Sequence, residues 1–170
     1  MSYIFHQILD ASFFGNLVPQ RALALTLKQK NMEKRSVALL KKHGLRVTSV
    51  RDKVLELLLA SGQTALSSAD IEQHFERLDR ITLYRTLRTF EEKGIIHQVF
   101  DNSGVSKYAA GSAEYQEQEN PYAHVHFRCV RCEKTVCLEN TSLPEVDTPE
   151  GFRIEEKHLV LSGTCKTCNE

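Results

Sequence analysis

The sequence predicts an α+β protein in two parts: a winged helix-turn-helix in the N-terminal half, then a small C-terminal α/β domain built on a four-cysteine zinc site. Three observations lead there. Between Thr48 and Gly94, apolar residues recur at helical spacing in three short runs, each opened by a capping residue. Past Gly94 the pattern changes to that of strands, with "IIHQVF" and "VSKYAA" flanking a "DNSG" turn. Two Cys-x-x-Cys pairs follow, Cys129/Cys132 and Cys165/Cys168.

Size and composition agree with this. At 170 residues and 41% apolar content the chain holds one medium domain or two small ones. Its net charge is zero, so no global field favours a polyanion, and any nucleic-acid surface must come from local clustering of the 22 basic residues. The longest apolar stretches, such as "LELLLA", fall far short of the roughly 18 residues of a membrane span. The opening "MSYIFHQILDASFFG" lacks the basic n-region and cleavage site of a signal peptide. The expected compartment is the cytoplasm, where paired cysteines are more often metal ligands than disulfides.

Taken in order, residues 1–31 read as an N-terminal extension, either a loose segment ahead of a start at Met32 or a docking arm; "RALALTLKQK" fits a short helix. Met32 opens "MEKRSVALLKKHG", an amphipathic helix with Val37, Leu39 and Leu40 on one side and Gly44 as its stop. "TSVRDKVLELLLASG" carries Val50, Val54, Leu57 and Leu58 on a stripe, capped by Thr48 or Ser49 and ended by Gly62. "LSSADIEQHFERL" follows, with Ser67 or Ser68 as cap and Ile71, Phe75 and Leu78 at helical spacing. A third run, "DRITLYRTLRTFEEKG", starts at Asp79, repeats Ile81, Tyr84, Leu87 and Phe90, and ends at Gly94. The hairpin closes a winged-helix domain over 32–110. A polar hinge linker covers 111–122. The second domain, 123–170, holds strand-like runs near His124–Val130, Lys134–Glu139 and Phe152–Leu161.

Cys129, Cys132, Cys165 and Cys168 form two matched knuckles, the spacing that supplies four thiolates to one tetrahedral structural zinc. A thioredoxin-like redox motif needs only one such pair. Metal binding at a site of this kind is also folding free energy.

His124, His126, Cys137 and His158 are a second candidate set. Alternation places Val125, Phe127, Val136, Leu138, Leu159 and Leu161 on core faces, and these four residues on the opposite parity. A His/Cys set favours zinc, whereas a His/carboxylate set suits iron or manganese. Parity alone leaves two readings open: a second metal site, or surface histidines beside a small half-buried cysteine.

The third helical run carries the nucleic-acid signal. Arg80, Arg85 and Arg88 sit on a short helix behind a tight turn, as a recognition helix is presented to the major groove. Its N-terminal residues Arg80, Thr82 and Tyr84 are the base-contact candidates, and Arg85 suits phosphate. From Met32 to Lys53 seven basic residues, Arg51 among them, face two acidic ones, Glu33 and Asp52, an excess able to grip the backbone.

With "GLRVTSVRDKVLELL", "ITLYRTLRTFEEKGII" and "HVHFRCVRC…CKTC" in hand, the chain from about Met32 to Glu170 resembles the Fur family of metal-dependent transcriptional regulators. The resemblance implies a homodimer, with winged helices on a palindromic double-stranded DNA operator and C-terminal domains pairing the subunits. It implies a structural zinc on the four cysteines. It also implies a regulatory divalent metal, zinc or iron, at the hinge, held by His124 and His126 with helpers whose positions fall on Ala65 and Ala109. A further family site falls on Ala123, Val125 and Lys157, none a competent set. Cys137 and His158, and linker residues Glu114, Glu117 and Glu119, are the candidate replacements, with His124, His126 and Cys137 as the preferred core.

The family's usual helix between the second and third strands of that domain has at most a turn's room in "NTSLPEVDTPEG". The expected function is therefore a metal-responsive repressor with no catalytic residues, no small-molecule substrate and no membrane partner. The alternatives are a winged-helix DNA binder with structural zinc only, a peroxide sensor of the same family, and a zinc or thiol enzyme. The enzyme reading lacks a general base near the His-x-His.

Overall fold

The structure, a computed structural model, describes residues 34–110, 124–155 and 157–169. The expectations for the N-terminal extension, for the linker and its glutamates, and for Ala123 lie outside the described residues. No helix among those residues is long and apolar enough to cross a membrane.

The first unit begins with helix α1, described over 34–42. It buries Leu40 and ends at Gly44, whose φ of +68° is the left-handed turn that lets Leu45 N–H reach back to the Leu40 carbonyl. Helix α2, Ser49–Ala60, is capped by Thr48, whose hydroxyl accepts from the Arg51 amide at 3.3 Å. Helix α3, Ser68–Glu72, opens with a reciprocal capping box between Ser67 and Asp70. It stops at Glu72, well short of the expected run through Leu78, although Phe75 and Leu78 still pack on the core. Helix α4, Arg80–Glu92, is capped by Asp79, which accepts from the Thr82 amide at 2.8 Å.

The inward stripe of α4 is Leu83, Thr86, Leu87 and Phe90. This corrects the sequence expectation. Leu87 and Phe90 are core, but Ile81 and Tyr84 are 61% and 60% exposed, because the face set by Leu83 turns them outward. The core joins this stripe to Leu40, Val54, Leu55, Leu58, Ile71, Ile95 and Ile96.

A three-stranded antiparallel sheet closes the unit in the order β1 (Leu66–Ser67), β3 (Lys107–Ala110), β2 (Ile96–Val99). The loop between β2 and β3 is longer than a "DNSG" turn, and the register pairs His97 with Ala109. The second sheet has β4 (His124–Cys129) in the centre, antiparallel to β5 (Thr135–Ser142) and parallel to β6 (Leu159–Gly163). The expected third strand from Phe152 forms only from Leu159; Phe152 itself is exposed. No helix lies between β5 and β6 among the described residues. A short helix, α5 (Lys166–Asn169), follows Cys165.

Backbone bonds join the second sheet to the segment just before β1. Thr64 bridges Val136, the Ala65 amide donates to the Thr135 carbonyl at 2.9 Å, and the Cys137 amide donates to the Gln63 carbonyl at 2.8 Å. This contact reverses most of the expected burial in the second sheet, although Val125 is buried as expected. The His124, His126 and Cys137 side is buried against the first unit, while Phe127, Val136, Leu138 and Leu159 are half-buried and Leu161 is 43% exposed.

Candidate metal centre and nucleic-acid interface

Cys129 is the last residue of β4 and Cys132 sits on the turn after it, while Cys165 immediately precedes α5 and Cys168 lies within it. Their sulfur atoms all lie within 4.8 Å of one another, and Cys132 Sγ is 3.8 Å from Cys165 Sγ. The edge of a tetrahedral site with Zn–S bonds of about 2.3 Å is ~3.8 Å, so the group fits zinc. Hydrogen bonds from the backbone near Cys132 and Cys165 hold the Cys129 thiol down to about 6, while the neighbouring cysteines hold Cys168 up to about 12. Four sulfurs this close compete for negative charge, and a divalent cation resolves that competition.

The second group comprises His97, His124, His126 and Cys137, all buried and with ligand atoms within 4.8 Å of one another. Topology brings them together. His126 and Cys137 are direct cross-strand partners on β4 and β5, so their side chains share a face. His124, two residues before His126 on β4, shares that face by alternation, with ring centroids 4.6 Å apart. His97 arrives from the wing strand β2, placing Nε2 at 3.1 Å from His126 Nε2 and 3.6 Å from Cys137 Sγ. Tetrahedral edges with Zn–N near 2.0 Å and Zn–S near 2.3 Å are ~3.3–3.8 Å, so this donor set also suits zinc.

Electrostatics prepare the ligands differently. Burial, then the charges of His124 and His126, bring His97 down to about 3; burial and His124 lead in bringing His126 down to about 4. Both imidazoles are therefore neutral at physiological pH and competent to bind metal. Burial, with Glu139 adding to it, pushes the Cys137 thiol up to about 12.

Of the sequence candidates, the structure gathers His124, His126 and Cys137 and leaves His158 outside. His158 is exposed and stands edge-on to Phe100, with ring centroids 5.0 Å apart. Its place is taken by His97, which the sequence reading missed. Ala65 and Ala109, where the resemblance put helper ligands, are buried with Val99 around Cys137 and form an apolar wall. His97 pairs directly with Ala109, so a donor stands across the hairpin from the position that lost one.

On α4, Arg80, Thr82, Tyr84, Arg85 and Arg88 are all exposed. Arg80 Nε lies 3.3 Å from a Glu72 carboxylate oxygen, and Arg88 pairs with Glu92 one turn on at 2.9 Å. The Thr82 hydroxyl donates to Asp79 at 2.8 Å, and hydrogen bonds from Thr82 hold the Asp79 carboxyl below its usual range. Arg51 donates to the Arg46 carbonyl at 3.1 Å.

The model of the ferric uptake regulator family matches residues 42–162, more than half of the chain and parts of both units. The chain belongs to the ferric uptake regulator family. It is a transcription regulator and not an enzyme. The ferric uptake regulation protein of Neisseria meningitidis serogroup C is 30% identical over 147 residues, 81% of this chain and 96% of that protein. The peroxide operon regulator of Bacillus subtilis is 27% identical over 146 residues, 81% and 93% of the two chains. Among solved structures, a zinc uptake regulator complexed with zinc and DNA superposes with a TM-score of 0.57 at 19% identity, covering 83% of this chain and 95% of that one. The Vibrio cholerae ferric uptake regulator gives 0.52 at 21% identity, covering 75% and 98%. These likenesses support the winged-helix and α/β architecture of this family member.

Proposed function

We propose that this family member is a cytoplasmic, zinc-responsive, homodimeric repressor. In this reading, residues 32–110 bind a palindromic operator and residues 123–170 pair the subunits. Cys129, Cys132, Cys165 and Cys168 hold a structural zinc. His97, His124, His126 and Cys137 hold the sensed ion.

One observation carries the proposal: the second ligand set spans both units, with His97 on the wing and the other three on the second sheet. A divalent cation bound there supplies a cross-link between wing and sheet. The ligands come together only when β2 lies against β4 and β5, so the ion favours that arrangement over any in which the wing has swung away. The softness of the thiolate, in a set that holds no carboxylate among the described residues, favours zinc over iron. The half-exposed apolar face of the second sheet suits cover by a second copy.

The test is operator binding by fluorescence anisotropy during zinc titration, with the four-cysteine site loaded. Zinc should tighten binding by ~5–150-fold, the usual range of a coupling free energy. His97→Ala and Cys137→Ser should lose most of that gain, and His158→Ala should keep it. A zinc-independent affinity would leave a winged-helix DNA binder with structural zinc and no sensor. A gain with ferrous iron and none with zinc would reassign the metal.

A further inference from the structure

The exposed face of α4 is not uniformly polar. Residues three and four apart share a helix face, so Ile81, Tyr84, Arg85 and Arg88 lie along one line, all exposed. Ile81 is in the first turn and 61% exposed, and it is not among the residues of either hydrophobic cluster. A lone exposed isoleucine needs no explanation. This one stands between arginines on α4, the helix whose sequence pattern is that of a recognition helix in the DNA-binding unit, and its neighbours are already engaged. Arg80 is paired with Glu72, and the Thr82 hydroxyl proton is committed to Asp79. Of the exposed first-turn side chains, Ile81 has no polar tie that entering DNA must break.

A branched aliphatic side chain has one good partner on the floor of the major groove, the C5-methyl group of thymine. The flanking arginines supply the charge complementarity that brings the helix to the duplex. We infer that Ile81 is a specificity-determining residue that packs on a thymine methyl group in each operator half-site. This rests on the DNA-binding reading above and adds a base preference that the arginines do not supply. The methyl contact excludes water from a small apolar area, so it acts on the choice of base and leaves the phosphate contacts unchanged.

The experiment uses the full chain with zinc present. Operators are selected from a random duplex pool with wild type and with Ile81→Ala, and each thymine of the selected site is then replaced singly by deoxyuridine, which lacks only the methyl group. At one thymine per half-site, deoxyuridine should weaken the wild type ~3–10-fold and leave Ile81→Ala unaffected. The dependence of affinity on salt should be the same for both proteins, because no phosphate contact is lost. If operators are selected but both proteins show the same deoxyuridine profile, Ile81 does not read thymine and the inference falls alone. If the wild type selects no sequence, the DNA-binding reading falls and takes the inference with it.

Discussion

Cys137 and the histidines around it hold their protons oppositely, and that asymmetry has a measurable consequence. At neutral pH His97 and His126 are already neutral, whereas the buried Cys137 thiol, pushed up to about 12, keeps its proton until a cation displaces it. Loading this site should therefore release about one proton, and affinity should rise roughly tenfold per pH unit between about pH 6 and 8. Calorimetry in buffers of different ionisation enthalpy measures the release, and Cys137→Ser should remove it. Strand parity grouped His124, His126 and Cys137 in the sequence, together with His158, which the structure leaves outside the site. His97 was hidden by register. A turn taken as Asp101–Gly104 would set His97 opposite Tyr108, whereas the observed pairing sets it opposite Ala109. A slip of one residue changes which cross-strand neighbours share a face, and no local pattern fixes it.

The element that fixes this register is the wing hairpin, held by a polar latch. Lys107 Nζ donates to Asp101 at 2.6 Å, to the Glu133 carbonyl at 2.9 Å and to Thr135 Oγ1 at 3.0 Å, and the Thr135 hydroxyl also donates to Asp101. Burial pushes the Asp101 carboxyl up, but the hydrogen bonds from Lys107, Ser103 and Thr135 outweigh it and hold its pKa below the usual carboxylate range. A depressed folded-state pKa contributes stability above the unfolded value, near 4, and that contribution is lost as pH falls below it. Asp101→Asn should thus cost about 1–3 kcal/mol at pH 7. The gap from wild type should narrow as pH drops below about 4, as urea denaturation at pH 7 and pH 3.5 would show. For α4, the start and stop were legible in Asp79 and Gly94, but the buried face was not. Leu87 and Phe90 continue equally from Leu83 or from Ile81 and Tyr84, and packing on Val54, Leu58 and Ile71 selected the first.

At the scale of the whole molecule, the two metal-ligand groups divide the labour. The four-cysteine group joins the end of β4 to α5, in a unit with few buried apolar side chains among its described residues, so much of its stability rests on that clip. Cys165→Ser should unfold the second sheet while the helical unit, with its own core, stays folded; hydrogen exchange resolved by segment reads this directly. The histidine group lies between units, and its loss should leave both folded. The sequence by itself determined where α2, α3 and α4 start and which residues cap them, the two strands of the wing hairpin and the grouping of the four cysteines, because each depends on spacing within a short run of chain. The wing histidine, the outward face of α4 and the burial of the His/Cys side of the second sheet were decided only by the tertiary structure. Each depends on which of two faces meets a partner from elsewhere in the chain, and alternation along a strand or helix marks two faces without saying which one will be covered.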